Sequence, residues 1–304
     1  MKSIDEIASK HLGKSGDGTL VKPYITPDSI DASLLVGIPR SLNRTQYDID
    51  ETDLPFVGYD VWNCYEVSAL TNNGYPVSGV VKLVYSSNSP NIVESKSLKL
   101  YLNSFNLVRL GETVKDVQDQ IEQIVSFNLS ECVGSFVQCK FFSSKSETAK
   151  GILSIDLETV VPVEQVSFDS YNEDPNLLQV IKHDSQYTVV WSSNVLRSNC
   201  RVTNQPDWGD IIISLSGNET VSPKSLLQYI VSMRKENHFH EEIVECVFKR
   251  LYDILPDSDI GVCALYTRRG GIDINPIRCT SIWMLDTFKN VFSMNHKHAK
   301  TDRQ

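Results

Sequence analysis

Runs with strand-like, then helical, then strand-like periodicity occur twice along this chain, and that repeated order narrows the folds open to it. In the first half, Phe56 to Leu70 is rich in aromatic and β-branched residues and Val77 to Tyr85 alternates, with the turn signal Asn72-Asn73-Gly74 between them. Ser97 to Phe105 reads as a third strand. A helix is predicted from Thr113, because Thr113-Val114-Lys115-Asp116 has the form of a capping box. Val117, Ile121, Ile124 and Val125 then recur at helical spacing. Val133 to Phe142 returns to strand character. In the second half, Leu177 to Trp191 and Asp210 to Leu215 are strand-like, and Ser222-Pro223 opens a helix whose buried stripe is Leu226, Leu227, Ile230 and Val231. A further helix from about His240 carries Ile243, Val247, Leu251 and Ile254 on one face and ends before Pro256. Ile260 to Thr267 is again strand-like, and Arg268-Arg269-Gly270-Gly271 is a turn.

This order points to an α+β fold built from two diverged copies of one module. A single α+β domain with halves alike by chance stays open. There is no steady strand–helix alternation and no G-x-G-x-x-G after a strand, so a nicotinamide cofactor would need a site of another kind. The expected boundaries are a loop-rich lead-in over 1–50, punctuated by glycine and proline, a first module over 51–160 and a second over 161–304. With 304 residues the chain is long enough for two such domains.

A formal net charge of −9 counts against a duplex nucleic-acid binder, which needs a basic face to displace counterions. The seven cysteines are odd in number and contain no C-x-x-C pair, which fits reduced thiols in a cytoplasm better than a disulfide framework. The first residues lack the apolar core of a signal peptide, and no apolar run approaches the ~20 residues that cross a bilayer. The expectation is a soluble cytoplasmic protein with neither a membrane nor a nucleic acid as partner.

Chemistry concentrates in Ser198-Asn199-Cys200-Arg201-Val202-Thr203-Asn204-Gln205-Pro206-Asp207-Trp208-Gly209. A turn at Asn204-Gln205-Pro206 would fold Cys200 back toward Asp207, pairing a thiol that can attack with an acid that can supply a proton. By residue type alone Cys200 is more often a packing residue and Asp207 more often a turn cap. Enclosure between Pro206 and Trp208 would raise the Asp207 carboxyl above its free value of ~3.9. In His238-Phe239-His240-Glu241-Glu242, position 244 is Val, so H-E-x-x-H is absent and a metal site is not expected. Glu241 suits the guanine-like edge of a purine, where one carboxylate accepts from the ring N–H and the exocyclic amine together. An acidic first helical turn, favoured by the helix dipole, is the plainer account. In Glu94-Ser95-Lys96-Ser97-Leu98-Lys99, strand alternation would put Glu94, Lys96 and Leu98 on one face. Lys96, Lys99, Arg268 and Arg269 are candidates for dinucleotide phosphates, beside glycines that admit close backbone approach. Each alone is more often a solvated charge.

Those three segments, with Tyr266-Thr267-Arg268-Arg269-Gly270-Gly271-Ile272-Asp273-Ile274-Asn275-Pro276, resemble the nitrile reductases that convert 7-cyano-7-deazaguanine to 7-aminomethyl-7-deazaguanine, in their two-module form. The resemblance runs from Glu94 to about Arg278. It implies tandem tunnelling-fold (T-fold) modules with antiparallel sheets backed by helices, a homodimer, and a role in making the queuosine of modified tRNA. It further implies that Cys200 forms a covalent thioimidate with the nitrile carbon and Asp207 protonates the nitrogen. Val93, Glu94, Ser95, His240 and Glu241 would hold the deazaguanine. Ser95, Lys96, Arg269 and Gly270 would hold NADPH, two per turnover, with no metal. Arg201 departs from the family pattern, where an uncharged residue is expected. The alternatives are a cyclohydrolase-like enzyme, against which the missing cysteine–histidine ligand set counts, and a non-catalytic purine- or pterin-binding module.

Overall fold

A computed structural model describes residues 27–304 of the chain; the first 26 residues of the expected lead-in lie outside that range. In chain order the strands are β1 (Gly37–Pro39), β2 (Val57–Thr71), β3 (Pro76–Ser86), β4 (Asn91–Val93), β5 (Arg109–Gly111), β6 (Val137–Phe142) and β7 (Ile155–Asp156). They continue with β8 (Val180–Asn199), β9 (Pro206–Val221), β10 (Asp259–Tyr266) and β11 (Ile272–Cys279). Four helices matter for the site: α1 (Ser95–Asn103), α2 (Val114–Val133), α3 (Pro223–Ser232) and α4 (His240–Ile254).

Both halves share one sheet, ordered β6-β3-β2-β11-β10-β9-β8-β7, with β5 added beside β2. Apart from the short parallel pairs β2–β5 and β7–β8, its strands run antiparallel. The fold is α+β. The seam between halves is β2 against β11, eight residues in register from Ile272↔Cys64 to Cys279↔Val57. β1 and β4 form a separate two-stranded ribbon.

Alternation assigns the two faces of the sheet. Trp62, Cys64, Val81, Leu83 and Tyr85 pack beneath α1 and α2, while Ile211, Ile213, Leu215, Val262 and Ala264 pack beneath α3 and α4. The opposite face carries Val61, Val84, Ile212, Cys263, Leu265 and Ile277, covered by Leu285, Phe288 and Val291 near the C-terminus. Lys82 points to that face, is buried, and donates to the carbonyls of Val291, Ser293 and His296 at 2.9, 2.8 and 3.0 Å. Burial pushes its ammonium down to about 8.

The helix at Thr113 forms as its capping box predicts: Thr113 Oγ1 accepts from the Asp116 N–H, and Asp116 accepts from the Thr113 N–H. Ser97 to Phe105 does not form a strand. Leu98, Tyr101, Leu102 and Phe105 are buried at helical spacing, and the Glu94 carboxylate caps α1 by accepting from the N–H groups of Lys96 (2.9 Å) and Ser97 (2.6 Å). Glu94 and Lys96 therefore do not share a strand face. Strand β11 was not expected, and β8 and β9 extend beyond the predicted runs to form one long hairpin.

Candidate active site

The β8–β9 hairpin places the first pair of residues. Ser198 lies opposite Asp207 and Asn199 opposite Pro206, so residues 200–205 form the connecting loop. The Cys200 N–H donates to the Gln205 carbonyl at 2.8 Å, and the Asn204 N–H donates to the Cys200 carbonyl at 2.9 Å. Asn204 has φ 55°, a left-handed conformation that asparagine tolerates. The turn thus folds back where the sequence predicts. Cys200 stays partly exposed, whereas Cys64, Cys246, Cys263 and Cys279 are buried.

Asp207 is buried but not in an apolar setting. One carboxylate oxygen is ion-paired with Arg269, and the other lies 3.4 Å from His240 Nε2. Burial pushes its pKa up, but His240 and Arg269 outweigh burial and hold the carboxyl below its ordinary value. This corrects the expected upward shift: both neighbours that hold the carboxyl down are remote in sequence. Arg269 also donates to Gln205 Oε1 at 2.6 Å, tying the Arg-Gly-Gly turn to the loop that bears Cys200.

Helix α4 supplies the second side. The His240 ring stacks on Tyr266 at 3.7 Å between centroids and 3° between planes. Among the described residues, His240 Nδ1 and Glu241 Oε1 are buried without hydrogen-bond partners. Buried polar atoms left unpaired are costly, and here both lie beside Asp207 or on the next residue. Burial first, and the Asp60 charge second, push the Glu241 carboxyl up to about 8, against the pull of Arg40 and Arg278. Burial first, then the charges of Asp60 and Glu241, hold the Tyr85 hydroxyl well above its ordinary value, and Val93 at the end of β4 is buried.

A third side is the meeting of α1 with the β10–β11 turn. Gly270 and Gly271 have φ 59° and 78°. A Cβ on Gly270 would meet Lys99 Cδ at 3.3 Å, so the E-S-K-S-x-K segment and the Arg-Gly-Gly turn touch through Lys99 and Gly270. Ser95 and Lys96 are exposed at the start of α1. Lys99 Nζ pairs with Glu66 at 3.2 Å, and the Glu66 side chain packs against Gly271, so a carboxylate already lies at this turn. Arg268 is drawn elsewhere, its guanidinium lying 4.1 Å from the centre of the Tyr65 ring. Among the described residues no group of three or more His, Cys, Asp or Glu side chains is arranged to hold a metal ion.

Under α4 lies a buried charge network that sequence reasoning missed. Arg278 donates to Asp60 and Glu245 at 2.8 Å each, Arg44 donates to Glu245 at 2.8 Å, and Arg40 pairs with Asp60. Glu245 is one helical turn beyond Glu241, so the network fixes the helix that presents His240 and Glu241. The arginines come from the lead-in and from β11, with no local pattern to link them. Removing one partner of such a network leaves a buried charge unpaired; Arg278→Met is expected to cost about 3 to 5 kcal/mol in urea unfolding.

Comparison with known proteins bears directly on this arrangement. Residues 26–141 match the family described as "Nitrile reductase, 7-cyano-7-deazaguanine-reductase N-term", and residues 206–282 the family described as "QueF-like protein". A relative from Colwellia psychrerythraea, named "NADPH-dependent 7-cyano-7-deazaguanine reductase", is 41% identical over 255 residues, covering 83% of this chain and 87% of that protein. The chain belongs to this nitrile reductase family. A second relative of the same name, from Cupriavidus metallidurans, is 38% identical over 268 residues, covering 85% and 91%. The matched ranges of the two family descriptions contain the α1 segment, Asp207, His240, Glu241 and the Arg-Gly-Gly turn. Cys200 falls between them, six residues before the second begins.

Proposed function

We propose that this protein reduces the nitrile of 7-cyano-7-deazaguanine to a primary amine at the expense of NADPH. The observation that supports it most is the convergence of Asp207, His240, Glu241 and Arg269 beside the loop bearing Cys200, in a chain of that family. The purine edge fits Glu241: the ring N–H and exocyclic amine donate to a carboxylate whose Oε1 is otherwise unpaired. Val93, Glu94, Ser95 and His240 border the rest of the base.

The thiol of Cys200 adds across the carbon–nitrogen triple bond. A carbon–sulfur bond forms, one π bond breaks, the thiol gives up its proton and the nitrogen gains one, so no net proton is consumed. Asp207, held ionised in the free protein, relays that proton. A base seated over it excludes water and raises its affinity for the proton on the way. Ser95, Lys96, Arg269 and Gly270 would hold NADPH, which supplies two hydrides per nitrile. Each hydride is matched by one proton to nitrogen. After the first, the carbon–sulfur bond breaks, returning the Cys200 thiol and leaving an imine that the second reduces to the amine. That imine would hydrolyse in water, so the residues around His240 and Tyr266 also serve to enclose it.

Two tunnelling-fold modules, 51–160 and 161–304, are the organisation this reading implies. The long hairpin supports a homodimer: among the described residues β8 pairs only with β9 before Trp191, and Val180, Ile181 and Tyr187 are exposed along it.

Mixing enzyme, NADPH and the nitrile tests the reading: two NADPH should disappear per amine formed, and none without the nitrile. No oxidation in the complete mixture would overturn it. Glu241 gives a pH signature. Its proton is bound in the folded chain up to about 8 but lost near 4.5 when unfolded, so the folded state binds more protons between those values. Stability of the ligand-free protein should therefore fall as pH rises across that window, and Glu241→Gln should flatten the slope in urea titrations. Substrate affinity runs the opposite way, rising with pH as the carboxylate becomes available to two donors.

A further inference from the structure

Directly after Cys200, Arg201 donates through Nη1 to Glu242 Oε1 at 2.7 Å. Glu242 is itself fixed. Its other oxygen accepts from the Phe239 N–H at 2.9 Å, closing the first turn of α4, and lies 3.2 Å from His238 Nδ1. The far nitrogen of that ring meets the Tyr47 hydroxyl at 3.0 Å. On the other side of Cys200, the Asn199 N–H donates to the Glu236 carbonyl at 2.7 Å and its carbonyl accepts from the His238 N–H at 3.1 Å. Both neighbours of Cys200 are thus tied to the segment that leads into His240 and Glu241. Among the described residues, the Cys200 backbone is tied only within its own loop.

We propose that the Arg201–Glu242 ion pair is a clamp that aims Cys200 at the nitrile carbon, acting on the position of the sulfur and not on its acidity. The proposal rests on the reading of Cys200 as nucleophile. Helix α4 presents the carboxylate that orients the base, so joining the nucleophile's loop to the same helical turn sets the sulfur and the substrate in one frame. Arg201 is a positioning residue; its guanidinium is bonded to a carboxylate that is 9% exposed, and that bond ties the loop following β8 to the first turn of α4.

Position and acidity leave different traces. If Arg201 acted by lowering the thiol pKa, Arg201→Gln would raise that pKa and Glu242→Gln, by freeing the arginine, would lower it. A clamp makes both variants act alike, because each breaks the same bond. Glutamine at 242 can still accept from the Phe239 N–H, which keeps the capping box. The experiment is a cycle of wild type, Arg201→Gln, Glu242→Gln and the double variant. The rate of adduct formation with 7-cyano-7-deazaguanine, the substrate Kd and the pH midpoint of iodoacetamide alkylation at Cys200 are measured in each. The clamp predicts adduct formation about tenfold slower in each single variant, as expected of a small misplacement. It also predicts a double variant no slower than either single, with Kd changed less than twofold and the alkylation midpoint the same in all four. Arg201→Lys should recover part of the rate. An unchanged rate in Arg201→Gln, or alkylation midpoints moving in opposite directions in the two single variants, would overturn the clamp. Absence of an adduct in the wild type would instead remove the nucleophile on which it rests.

Discussion

Cys200→Ala is expected to abolish turnover, with a loss of at least about 10⁴-fold in kcat, while the variant still binds 7-cyano-7-deazaguanine. The sulfur is the atom that makes the nitrile carbon an easy hydride acceptor, because a thioimidate is more electrophilic than the nitrile it replaces. The fold should not suffer. Cys200 is partly exposed, and its contribution to the loop is made by its backbone N–H and carbonyl, which alanine keeps. Equal thermal unfolding midpoints for the two proteins and a lost rate of NADPH oxidation would separate chemistry from folding. Substantial turnover by the alanine variant would remove the covalent mechanism.

The second large effect is expected at Asp207. Asp207→Asn keeps the shape of the side chain but can neither take the thiol proton nor pass it to nitrogen, so adduct formation should slow by about 10²- to 10⁴-fold. Substrate Kd should change less than tenfold, since Glu241 and not Asp207 meets the purine edge in this reading. Stopped-flow detection of the adduct, with a separate binding titration, distinguishes the two. A variant that binds tenfold worse yet forms the adduct at the wild-type rate would make Asp207 a binding group.

Much of the fold was legible because local signals agreed with tertiary demand. The Thr113 capping box, the Ser222-Pro223 helix start and the apolar stripe of α4 each appear where the sequence places them. Two elements were not. In α1, the alternation of Leu98, Leu100 and Leu102 reads as a strand, while Leu98, Tyr101, Leu102 and Phe105 read as a helix; the Glu94 cap and burial of the second set decide the matter. Strand β11 holds Asp273, Asn275 and Pro276, residues that argue against a central strand. Its polar face is satisfied at long range: Asp273 accepts from Asn63 and Tyr65, both at 2.7 Å, and Asn275 Oδ1 accepts from Gln304 at 2.8 Å.

The site divides in the same way. The hairpin turn that sets the Cys200 loop at the end of the strand pair carrying Asp207 follows from Asn204-Gln205-Pro206. The electrostatics do not, because the groups that hold Asp207 ionised sit 33 and 62 positions further along the chain, at His240 and Arg269. Carboxylate acidity in this protein is a property of the folded neighbourhood. The same is true of Glu241, whose raised pKa comes from burial and from Asp60 in the other half.

The most direct test is intact-protein mass spectrometry after mixing the enzyme with 7-cyano-7-deazaguanine alone. The account predicts a mass gain equal to the whole nitrile, mapped by peptide digestion to Cys200 and lost on addition of NADPH. Failure to gain that mass with the Cys200 thiol shown to be reduced, or a gain mapped to another residue, would contradict it.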